Sequence, residues 1–118
     1  MDILIFLDEV SAKISECEKN AKKFISDGNN DAYINTMYLK AEILAELPID
    51  IKKYDENTLS PSALKFISEN INSFSTSAKT AIKLQSTWYM SQLLFNEDYK
   101  EGDPNNFELF VQKVKKMS

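Results

Sequence analysis

Residues 60–95, SPSALKFISENINSFSTSAKTAIKLQSTWYMSQLLF, decide the fold of this chain. Ser60 and Pro61 make a helix start. The hydroxyl can accept from a free N–H of the first turn, and proline has the φ that the first helical position needs. Beyond that start Leu64, Ile67, Ile71, Phe74, Ala78, Ala81, Gln85, Trp88, Gln92 and Phe95 recur at alternating spacings of three and four. That repeat puts side chains on one face of an α-helix, whereas a half-buried strand would alternate every second residue. Carried unbroken from 61 to 95, the pattern predicts a helix of roughly 50 Å at 1.5 Å per residue. Ser73, Ser75, Thr76 and Ser77 cluster near its middle. Such hydroxyls compete for backbone hydrogen bonds and favour bends, so the helix either breaks near 73–77 and turns back or continues past its neighbours.

The flanking sequence has the same character. From about Asp2 to Asp27, Ile3, Leu7, Val10, Ile14, Cys17, Ala21 and Phe24 form a continuous helical stripe, and Gly28 stands where a left-handed C-cap is expected. A second helix is predicted from about Asp31 to Leu47, with Ile34, Met37, Tyr38, Ala41, Leu44 and Ala45 inward and Pro48 blocking its continuation. The short link between the two predicts an antiparallel hairpin. Residues 48–60 read as a loop or a single helical turn that covers the bundle end. Asp103–Pro104 repeats the cap-plus-proline start, ahead of a last helix bearing Phe107, Phe110, Val111, Val114 and Met117. The expected fold is therefore all-α: one domain over 1–118, an antiparallel bundle of four helices, or five if the third is broken.

Composition excludes more functions than it suggests. The chain has no histidine, and every one of its fourteen basic residues is a lysine. Histidine is the usual general base and metal ligand near neutral pH, and arginine the usual bidentate clamp for phosphate and guanine. A net charge of −4 disfavours nucleic acid and anionic lipid. No apolar run approaches a membrane span or a secretory h-region, and the single cysteine permits no internal disulfide. A soluble, cytoplasmic protein is expected.

Local candidates for chemistry read better as structure. Asp27-x-Asn29-x-Asp31 has the spacing of calcium ligands, but Ala32 and Tyr38 stand where such a loop needs glycine and glutamate. Glu9, Glu16, Glu42, Glu46 and Glu69 fall off the apolar stripes, as solvated residues do. Cys17 lies on a stripe and without a histidine base is expected to be inert. No metal, cofactor or catalytic residue is predicted.

Surplus apolar residues are the more informative feature. Leu4, Ile5 and Phe6 make the first turn apolar nearly all round, and Trp88, Tyr89, Met90, Leu93, Leu94 and Phe95 crowd one end of the third helix. A helix apolar around its circumference is covered on more than one side, either by its own chain or by another. Tryptophan and tyrosine are enriched where binding energy concentrates. Leu4, Phe6, Trp88, Tyr89 and Phe95 are therefore the candidate protein-binding residues. The expected function is a non-enzymatic helical module, such as a small inhibitor, an immunity-type protein or a chaperone or adaptor. The acidic balance suits a basic partner. Self-association into a homo-oligomer, with Gln85 and Gln92 at a helical seam, is the alternative. A small-molecule binder or enzyme is a more distant one.

Overall fold

The computed structural model describes residues 2–54 and 59–117. Its helices are α1 (Ile3–Ser26), α2 (Asn30–Ala45), α3 (Leu47–Asp50), α4 (Pro61–Lys83), α5 (Thr87–Gln92) and α6 (Asn106–Met117), with a 3₁₀ turn at Ile51–Lys53. The all-α bundle expected from the stripes is the one observed. α2 packs against both α1 and α4, α6 closes against α1 and α4, and α5 lies on α2 and α4.

Local chemistry sets the ends of these helices. The Asp2 carboxylate accepts from the Leu4 N–H at 3.0 Å and starts α1. Gly28, at φ 72°, ends it with paired bonds from the Gly28 N–H to Ile25 O and the Asn29 N–H to Phe24 O. Such a pair satisfies carbonyls that the last helical turn leaves free. Asn29 then caps α2 through the Ala32 N–H at 3.2 Å, so the calcium-like triplet serves as helix caps and a first-turn acid. At Glu46 the chain leaves α2 and re-enters a helix at once, because Pro48 cannot continue α2 yet sits well in the first turn of α3. Leu47 is buried, and the Tyr54 ring stacks on Phe6 at 4.5 Å between centroids. Ile49 stays 64% exposed. Residues 55–58 of the stretch expected to cover the bundle end lie outside the described residues.

The hydroxyl cluster does not break α4. Ser75 is buried and donates to the Ala45 carbonyl, 2.7 Å away at the end of α2. Thr76 donates back to Asn72 O at 2.8 Å. These groups are thus satisfied without bending the helix out of line. The break comes later, at Leu84–Ser86, where the apolar spacing runs on as if nothing happened. Gln85 takes φ 53°, its N–H donates to Ile82 O at 3.0 Å, and the Ser86 N–H donates to Ala81 O at 3.2 Å. This is the same termination as at Gly28, built here on a residue with a Cβ. Ser86 then accepts from the Tyr89 N–H at 3.0 Å and starts α5. Gln85 and Gln92 are both exposed, Gln85 in the turn after α4 and Gln92 at the end of α5, so they do not share one continuous helix.

α6 begins two residues after the expected Asp103–Pro104 start. Asn105 accepts from the Glu108 N–H at 2.8 Å while Glu108 accepts from the Asn105 N–H at 3.0 Å, a reciprocal cap. Asp103 instead accepts from the Lys100 N–H at 3.2 Å within the preceding turn. The core runs through Leu7, Ile14, Ala41, Leu44, Ala63, Ala78, Met90, Phe107 and Val114, all buried. Ala41 on α2 and Ala63, Ala78 and Ala81 on α4 are small residues within this core, each fully buried. Phe74 meets Phe107 and Phe110 at 5.6 and 5.5 Å and joins α4 to α6.

A side chain at φ 53° strains the backbone where glycine would not. Gln85→Gly is expected to raise stability by about 0.5–1 kcal/mol, after the entropy glycine adds to the unfolded chain. Urea denaturation measures it, and a loss of stability would mean that the Gln85 side chain contributes contacts outweighing the strain.

Candidate protein-docking groove

The turn at Leu84–Ser86 carries α5 away from the line of α4 and opens a groove between them. Met90, fully buried, anchors α5 to the core. Leu94, at φ 74°, reverses the chain again, and its carbonyl accepts from the Asn106 N–H at 2.9 Å, which ties the end of this segment to the start of α6. The resulting groove is about 370 Å³, with apolar walls from Leu44, Phe74, Tyr89, Leu93 and Leu94 and polar groups from Ser73, Ser77, Gln92 and Asn106. Among the described residues no charged side chain lines it. Trp88 stands at its edge, 72% exposed, the most exposed of the large apolar residues described.

The structure brings Trp88 and Tyr89 together at this groove but not the other nominated residues. Phe95 is half-buried elsewhere: its ring lies over the Lys40 ammonium at 4.8 Å and meets Tyr99 at 4.6 Å.

 Leu4 is half-buried against the core, and Phe6 is buried under Tyr54. Leu84, 61% exposed, and the groove walls Phe74, Leu93 and Leu94 were not among the nominated residues. The readable signal for the turn that exposes them was Ser86-Thr87, a second cap inside an otherwise regular stripe.

A second polar cluster lies under Phe95. Lys40 has no exposed surface, and its ammonium is 2.7 Å from the Glu18 carboxylate, which is 24% exposed. Neither atom has any further hydrogen-bond partner among the described residues. Burial pushes the Lys40 ammonium below the ordinary lysine range, against the opposing pull of Glu18. Burial likewise raises the nearby Cys17 thiol, with Glu18 adding to the rise, so the thiol is held in its unreactive form. Among the described residues no cluster of His, Cys, Asp or Glu could hold a metal ion, and no helix is long and apolar enough to cross a membrane.

The pair responds unequally to mutation. Glu18→Ala leaves an unpaired ammonium in the core and is expected to cost about 3 kcal/mol or more, whereas Lys40→Met leaves a carboxylate that still reaches water and is expected to be near neutral or stabilising. Because Lys40 binds its proton less tightly when folded than when unfolded, its contribution to stability rises with pH, from its depressed folded value up to 10.5. Urea titrations of both variants and the parent from pH 7 to 10.5 check this; equal losses from both substitutions would contradict it.

No protein-family model, no curated protein and no solved structure matches this chain.

Proposed function

We propose that this chain is a non-enzymatic protein-binding module that docks a partner protein at the groove between α4 and α5. The observation that carries this reading is Trp88, 72% exposed beside a groove with apolar walls. Leaving an indole in water forgoes roughly 1.5–3 kcal/mol of burial, and an aromatic anchor beside a concave apolar surface is the usual centre of a binding hot spot. The polar groups in the groove wall are neutral hydrogen-bonding side chains, which suit a rim that closes around an inserted apolar residue. A small inhibitor, an immunity-type protein and a chaperone or adaptor all work through such a surface.

Self-association through a helical seam receives less support. The stripe residues Ile67, Ile71, Ala78 and Ala81 are buried within the chain itself, and the repeat ends as a helix at Lys83. Among the described residues, the two buried polar features offer little to an enzymatic role. The buried Lys40–Glu18 pair has no exposed ammonium, and Cys17 is buried.

Affinity capture from the native host with the tagged chain and its Trp88→Ala variant tests the proposal. One protein is expected to co-purify in near-stoichiometric amount and to bind the variant about tenfold more weakly or worse. Thermal unfolding of the variant should match the parent, since so little of the indole is buried. Equal capture by both would remove the groove from the account.

A further inference from the structure

The connection from α5 to α6 lies over the buried Lys40–Glu18 pair and is held there by little. Asn96 to Pro104 are all exposed. Their backbone bonds are local turns, from the Tyr99 N–H to Asn96 O and from the Asp103 N–H to Lys100 O, both 3.0 Å. Side chains tie the segment to the rest of the bundle: the Phe95 ring over the Lys40 ammonium at 4.8 Å, Glu101 on the Lys22 ammonium of α1 at 3.0 Å, and the Asn96 side-chain carbonyl accepting from the Asn106 amide at 3.3 Å. The Lys22–Glu101 pair is open to water on both sides, so it contributes little. Both ends of the segment have hinge geometry. Leu94 takes φ 74°, a strained conformation for a residue with a Cβ, and Gly102 takes φ 98°, which glycine adopts freely.

Beneath this segment lies an incompletely paired charge. An ammonium has three N–H donors. The Glu18 carboxylate meets that of Lys40 on one side and the Phe95 ring on another, with no further hydrogen-bond partner among the described residues. A buried charged donor short of partners is costly to keep from water. Water stands close by: an open crevice of about 300 Å³ runs along the edge of the segment, lined by Glu18, Lys19, Phe95, Tyr99 and Asn105. Lys40 itself does not reach it. We infer that residues 95–103 are a lid, hinged at Leu94 and Gly102, that lifts to join this crevice to the space under Phe95 and presents the Lys40 ammonium to solvent. Lifting relieves the unmet donors and the Leu94 strain together. It gives up the cation–π contact of one ring and the weakly held Glu101, and it needs no movement of α1, α2, α4 or α6. The lid is independent of the docking role, although Leu94 belongs to both, being also a wall of the groove.

Lysine footprinting of the full chain tests the inference. Of the fourteen lysines only Lys40 is buried, so its acylation by a small activated acetate ester requires an opening. Mass spectrometry reads the protection of Lys40 relative to the exposed Lys13. The comparison is with the Ala41 amide, fully buried on α2, whose protection against hydrogen exchange reports global unfolding. The lid predicts that Lys40 is about tenfold less protected than the Ala41 amide, or weaker still. Lys22→Cys/Glu101→Cys in a Cys17→Ala background, joined by a short bis-maleimide, pins the lid to α1. The joined form should protect Lys40 about tenfold more than the same variant unjoined. Equal protection of Lys40 and Ala41 would overturn the inference, because only global unfolding would then expose the ammonium. Lys40 labelling that the crosslink leaves unchanged would also overturn it, since the amine would then be reached by another route. Both readouts use the chain alone, so their failure leaves the docking role to its own test.

Discussion

Had α4 continued to Phe95, Trp88 and Phe95 would extend the face that carries Ile67, Ile71 and Ala81, and the helix would either overhang the bundle or demand a longer partner. The left-handed turn at Gln85 prevents this. It satisfies the Ala81 and Ile82 carbonyls, passes the chain to Ser86 as a new cap, and sets α5 across α2 and α4 with Met90 as its anchor. The groove, the exposure of Trp88 and the closure of α6 against the Leu94 carbonyl all follow from that reversal. The backbone strain it carries, of order 1 kcal/mol, is small beside the apolar burial that α5 and α6 gain.

The second constraint is the buried ion pair between α1 and α2. Lys40 falls among the buried residues Met37, Ala41 and Leu44, where an apolar side chain would pack without loss. Glu18 compensates the charge from one side only, and Phe95 covers it from another at 4.8 Å. Phe95 is thereby committed to the interior chemistry of the bundle. Trp88, seven residues earlier on the same apparent stripe, stays 72% exposed at the edge of the groove. The two residues separate because the helix that would have aligned them does not exist.

Much of this was readable in the sequence, and the exceptions have identifiable causes. The all-α class, the α1–α2 hairpin, the Gly28 cap and the Ser60–Pro61 start follow from spacing and cap chemistry and are all observed. A break at Ser73–Ser77 was the alternative to a continuous helix, because hydroxyls in mid-helix often compete with the backbone. Ser75 instead found an acceptor in the Ala45 carbonyl, a tertiary partner that no local pattern announces. The true break fell on Gln85, a residue with no preference for φ 53°, and the apolar repeat continued through it by coincidence of spacing. Asn105 and Glu108 displaced Asp103–Pro104 as the start of α6, because a reciprocal cap satisfies two donors where a single cap satisfies one. Of the nominated surface, Trp88 and Tyr89 could be found because an aromatic pair stood in a crowded apolar stretch. Leu84 was hidden by the assumption of an unbroken helix, and Lys40 by its polar name.

The central claim is that the α4–α5 corner is where another protein sits. A photo-crosslinking amino acid placed at position 88 in the native host tests it most directly. Position 25 serves as the control, since Ile25 is also exposed, at 61%, but lies outside the groove. One discrete crosslinked partner from position 88 and none from position 25 is the predicted result. No crosslink at 88, or the same products from both positions, would contradict the account.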